Sequence, residues 1–244
     1  MALVASINGQ RTLLDFLDKR ESHFALQFFD RVSWPESDLD VFVQNGSSAD
    51  AFSRYLIDLE GYRVFKTSHD RLAPQDQVHR EYVLADIAKV HTYSRGDAKA
   101  DRIQVIYTTQ LPIQSIMDFY MTAVLNIITW NKAYSIFPRE TFIDYEMLLL
   151  VWPDDWIKSL LTRYEERGWR LKILGEEEAE ATTYDLRSIA DDHTWKMAFD
   201  TTDIRQAPLP DHTFETFTFV SSRMAEPRIA EHKSIYDLVS IGFQ

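Results

Sequence analysis

The sequence predicts an α+β protein: a mixed sheet flanked by helices, with a C-terminal α/β extension. Three observations lead there. Amphipathic stretches at three-and-four spacing alternate with short β-branched runs, but in no regular strand–helix–strand repeat. Glycine is scarce, 7 residues in 244, so long flexible linkers have little to be built from. Aromatic residues make up 13%, enough apolar bulk for a substantial core and far from the composition of a disordered chain.

The first helix is expected in "GQRTLLDFLDKRES", where Leu13, Leu14, Phe16 and Leu17 share a face, and a second in "HFALQFFDRV". "DLDVFVQ" alternates as a strand, with Leu39, Val41 and Val43 on one side and Asp38, Asp40 and Phe42 on the other. "NGSS" is a turn, and "SADAFSRYLIDLEGY" a helix with Phe52, Tyr55, Leu56 and Leu59 inward and Gly61 at its end. "REYVLADIAKVHTYSR", the turn "GDAKAD" and "RIQVIYTT" read as an antiparallel hairpin. Pro112 then opens a long helix, "PIQSIMDFYMTAVLNIITW", apolar nearly all round and therefore buried. Thr122 and Asn126, four apart, would share one of its faces.

"KAYSIFPRETF" is extended. "DDWIKSLLTRYEERGW", with Pro153 at its start, is a helix that Gly168 stops. "WRLKIL", "HTWKMAF" and "HTFETFTFV" are strands, the acidic Glu176–Glu180 run between the first two is an exposed loop, and Phe214, Phe217 and Phe219 are core residues. A composition shift divides the chain into residues 1–152 and 153–244, two pieces that could also pack on one core.

Charge and composition exclude several classes. A net charge of −12 repels extended nucleic acid, although a nucleotide can arrive with a bridging Mg²⁺. With no cysteine there is no disulfide, thiolate metal site or thiol nucleophile. The first residues lack the pattern of a signal peptide, and no apolar stretch is long enough for a bilayer, so a cytoplasmic or nuclear protein with no membrane association is expected. Gly-x-Ser-x-Gly, Gly-x-Gly-x-x-Gly and the P-loop pattern do not occur, and the seven histidines show no metal-ligand spacing.

The feature that calls for chemistry is "PESDLDVFV". On a strand, residues i and i+2 point to one face, so Asp38 and Asp40 aim together. Two like charges that close repel unless a cation lies between them. A structural reading, two solvated acids capping a strand, stands beside a metal-binding one in which both carboxylates grip Mg²⁺.

This segment resembles the nucleotidyltransferase fold, in which a Gly-Ser turn, a short helix and an acid-x-acid pair opening a strand precede a third acid on a later strand. "ALQFFDRVSWPESDLDVFV", "GYRV", "RIQVI" and "FYMTAVLNIITWNKAYSIFPRETF" are similar to a fungal nucleotidyltransferase-like group, covering roughly residues 20–142. The resemblance implies a nucleotidyltransferase-like mixed sheet. It also implies Mg²⁺-dependent transfer of a nucleoside monophosphate from NTP to a hydroxyl on a protein or small-molecule acceptor. Asp38 and Asp40 would be the metal ligands, and with Gln104 the catalytic set; Ser22, His23 and Ser37 would lie against the nucleotide.

The chain departs from that pattern twice. Ser22-His23 stands where a Gly-Ser pair belongs, and a histidine Cβ and ring obstruct the close approach that glycine allows. Gln104 stands where the third acid belongs, with Asp101 and Asp86 as neighbouring alternatives. An inactive relative that binds a partner protein is therefore the rival expectation. Arg54, Arg63, Lys66 and Arg71 are either an ordinary solvated surface or a cationic wall for phosphates.

Overall fold

The computed structural model describes residues 2–4, 25–34, 39–69, 86–96, 102–150, 155–172, 184–200, 202 and 212–222. The protein mixes helices and strands and divides into two compact units. The first comprises residues 1–117, 126–135 and 196–210; the second comprises residues 118–125, 136–195 and 211–244.

The first unit is built on an eight-stranded mixed sheet. In chain order its strands are β1 (Ala2–Val4), β2 (Leu39–Gln44), β3 (Arg63–His69), β4 (Ile87–Ser94), β5 (Arg102–Thr108), β6 (Asn126–Ile128), β7 (Lys132–Ser135) and a later strand, Trp195–Ala198. The spatial order is Trp195–Ala198, β7, β6, β1, β2, β5, β4, β3. The four central strands β6, β1, β2 and β5 run parallel, whereas the β3–β4–β5 and β6–β7 pairings are antiparallel. The β4–β5 hairpin expected from the sequence is present.

Helices α1 (Ala25–Asp30) and α2 (Ser47–Asp58) supply the core on one face. Ala25, Ala49, Phe52, Tyr55 and Leu56 cluster with Val41, Val43, Ile103 and Val105, and each large apolar side chain so buried stabilises the fold by about 1.5–3 kcal/mol. Gly61 follows α2 at φ +73°, and the next residue, Tyr62, donates its N–H to Leu56 O (2.9 Å). Helix α3 (Pro112–Met117) contacts β1 and β2, and Ile113, Ile116 and Met117 are buried.

The long helix expected from Pro112 to Trp130 is not formed. It stops at Met117, a single 3₁₀ turn follows at Thr122–Val124, and Asn126–Ile128 is strand β6. A segment apolar all round suits a strand covered on both sides as well as a buried helix, and here β6 gains backbone hydrogen bonds from both β1 and β7. Thr122 and Asn126 therefore share no helix face, and they belong to different compact units. The helix expected at "GQRTLLDFLDKRES" lies outside the described residues.

The second unit holds a parallel pair, β8 (Glu146–Met147) with β9 (Arg170–Leu171), and an antiparallel pair, β10 (Tyr184–Ser188) with Thr218–Ser222. With these in place the strand Trp195–Ala198 is β11 and Thr218–Ser222 is β12. Its helix α4 (Asp155–Glu166) ends at Gly168, as its sequence requires. Gly168 sits at φ +105°, its N–H bonds Glu165 O (2.9 Å), and the Trp169 N–H bonds Tyr164 O (3.1 Å), the two hydrogen bonds of a Schellman end. The Tyr164 and Trp169 rings close the motif, with centroids 6.2 Å apart. "HTFETFTFV" is not all strand: His212–Glu215 forms α5, one helical turn, before β12.

Candidate functional site

Strand β2 carries Asp40 at its second position, half-buried. Directly across from it, on the adjacent parallel strand β5, lies Gln104, also half-buried. Partners in register on neighbouring strands stand about 5 Å apart and face the same side of the sheet. The row continues outward through Thr92 on β4 to Lys66 on β3. One step further along, the same face carries Phe42 and Ile106, both buried. The Asp40–Gln104 row is thus the polar margin of an otherwise covered face.

Two of the residues expected to work together are therefore side by side. Asp38, Ser37, Ser22 and His23 lie outside the described residues, as do Asp101 and Arg71. Asp86 does not stand near this row. Its backbone carbonyl takes the Thr109 N–H (2.7 Å) and its Oδ1 accepts from Thr109 Oγ1 (3.4 Å), at the far end of β5. The hairpin runs antiparallel, so the start of β4 lies against the end of β5, about 16 Å along the strand from Gln104. Asp86 is not the missing acid. Among the described residues no three His, Cys, Asp or Glu side chains converge to hold a metal ion.

Arg102, Phe65 and Thr92 were missed in the sequence reading. Arg102 precedes Gln104 by two on β5 and so shares its face; the alternation in "RIQVIYT" already held that signal. Its guanidinium lies over the Phe65 ring, 4.8 Å from the centroid. The pairing of β3 with β4 shifts between Val64 and Lys66, a bulge that sets the two consecutive residues Phe65 and Lys66 against Thr92. No sequence pattern announced that bulge.

On the opposite face lies a polar cluster within the core. The Tyr93 hydroxyl meets Tyr107 Oη (3.2 Å) and Ser53 Oγ (2.5 Å), and His91 Nδ1 lies 3.3 Å from Tyr93 Oη. Burial, reinforced by the Tyr93 hydrogen bond, pushes the Tyr107 phenol well above its ordinary value, so it stays neutral. Each hydroxyl finds a partner inside the core, which is the arrangement of a structural network.

No protein-family model, curated protein or solved structure matches this chain. No helix among the described residues is long and apolar enough to cross a membrane.

Proposed function

We propose that the protein is nucleotidyltransferase-like, moving a nucleoside monophosphate from NTP to a hydroxyl on a small-molecule or protein acceptor. The observation that supports this reading is the register of Asp40 with Gln104 on adjacent strands, the relation required of an acid-pair strand and the strand of a third ligand. Asp40 offers a carboxylate and Gln104 an amide carbonyl, hard oxygen donors suited to Mg²⁺, and Asp38 would add a second charge. Such an ion would neutralise triphosphate charge and lower the pKa of an attacking hydroxyl.

The test is thermal unfolding with NTP and Mg²⁺. The melting temperature rises in the native protein and not in the Asp38→Ala/Asp40→Ala double variant. No rise at millimolar nucleotide removes the reading. Gln104→Asp restores the missing charge and is expected to lower the Mg²⁺ concentration needed for half the shift.

A second reading is a catalytically inactive relative that acts by binding a partner protein. The neutral amide of Gln104 in the third-acid position favours it. Transfer of labelled nucleotide to any acceptor, dependent on Asp40, would exclude it.

A further inference from the structure

The chain carries a net charge of −12, yet one margin of its main sheet is positive. On the face that holds Asp40 and Gln104, β3 and β5 contribute Arg63, Lys66 and Arg102; Arg63 is paired through Ser94 to Arg102, and Lys66 through Thr92 to Gln104. The described residues of β3, β4 and β5 contain no aspartate or glutamate at all. Neither Arg63 nor Lys66 makes an ion pair with a described residue, and both are exposed.

Arg102 is the telling member. Its Nε is buried and has no hydrogen-bond partner among the described residues. An unbonded buried donor costs free energy, about 1–3 kcal/mol, and a ligand that supplies the missing acceptor recovers that cost. The aromatic beside it is equally unusual. Phe65 is 63% exposed, with Arg102 against its ring. A phenyl ring held by a guanidinium and open to solvent is a platform on which a second planar group stacks.

We infer that this margin binds a phosphate-bearing ligand with a planar ring, the phosphate taken by Arg102, Lys66 and Arg63 and the ring stacked on Phe65. Lys66 lies in the row of the Asp40–Gln104 pair, and Arg63 and Arg102 lie in the next row of the same face. This site deepens the transferase reading by naming the ligand class beside the reacting end, and rests on that reading for its role but not for the binding itself. The phosphate can belong to the NTP donor or to a nucleotide-like acceptor, and the chemistry recognised is the same.

The test is calorimetric titration of the full chain in EDTA with AMP, ATP, pyrophosphate and uncharged adenosine. AMP and ATP bind and adenosine does not. Arg102→Met and Lys66→Gln each weaken AMP roughly tenfold, the loss expected of one charge-assisted contact. Phe65→Ala weakens AMP severalfold and leaves pyrophosphate unchanged. Asp40→Asn removes a nearby negative charge and keeps or tightens this Mg²⁺-free binding. That result separates the site from the metal-dependent function, because binding in EDTA survives even if transfer proves absent. AMP binding that persists under saturating Mg·ATP identifies the phosphate as the acceptor's, and competition identifies it as the donor's. Absence of anion binding at millimolar concentration, equal affinity for adenosine and AMP, or AMP affinities unchanged in both Lys66→Gln and Arg102→Met would overturn the inference.

Discussion

Two arginines, one in each compact unit, solve the same problem in opposite ways. In the second unit the Nε and Nη2 donors of Arg187 are spent on the chain itself. Its Nε donates to Asp191 Oδ2 (3.0 Å), and its Nη2 donates to Ile136 O (2.9 Å) and Asp191 Oδ1 (3.1 Å). The Phe137 and Phe219 rings lie 4.9 and 5.3 Å from the guanidinium. In the first unit Arg102 also lies against a phenylalanine, but its buried Nε donates to nothing described. A guanidinium whose donors are spent on its own chain organises structure; one whose donors are left over costs stability unless a ligand uses them. The two residues look alike in sequence, and only the count of hydrogen bonds separates them.

That contrast can be broken by paired substitutions. The largest effect is expected from Arg187→Met, which strands the partly buried Asp191 carboxylate and costs about 3 kcal/mol, read as a lower urea midpoint. Trp169→Phe comes next. The buried indole Nε1 donates to Thr141 O (2.8 Å), and losing that bond with its share of packing costs about 1–2 kcal/mol by the same measurement. Gly168→Ala should cost about 1 kcal/mol, because a Cβ at φ +105° is strained whatever space surrounds it.

The smallest change is expected at Arg102→Met. Removing an unbonded buried donor while keeping the stem over Phe65 should cost no stability and is expected to raise the urea midpoint. A loss there as large as at Arg187 would show that Arg102 is structural after all.

The pH dependence sharpens the same comparison. Burial opposes ionisation of Asp191. The Arg187 hydrogen bond and charge, the His193 N–H and the Thr194 hydroxyl outweigh it and hold the carboxyl below its usual range. A folded-state pKa that is depressed contributes stability above the unfolded value, near pH 4, and that contribution disappears as pH falls through the folded value. The urea midpoint should therefore drop below about pH 4. Asp191→Asn should lower the midpoint near neutrality and flatten the acid limb.

Local order was legible where one segment settles it alone. Leu56 and its neighbours at helical spacing, Gly168 closing α4, and the alternation of β4 and β5 all specify conformation within a dozen residues. Legibility failed where distant partners decide. Ala2–Val4 is too short to announce a strand, yet it pairs with β2 on one side and β6 on the other. Ile127 and Ile128 belong to an apolar run that fits helix or strand equally, and β1 and β7 settle the matter by offering hydrogen bonds.

The candidate site divides along the same line. Period-two spacing by itself places Arg102 with Gln104, because alternate residues of any strand share a face. That Gln104 lies across from Asp40, that Asp86 is carried to the far end of β5, and that a bulge turns Phe65 and Lys66 together were decided by pairing between strands. Register joins residues some sixty positions apart in the chain, and no local pattern encodes it. The sequence alone could place these side chains along their strands; the folded sheet determined which of them meet.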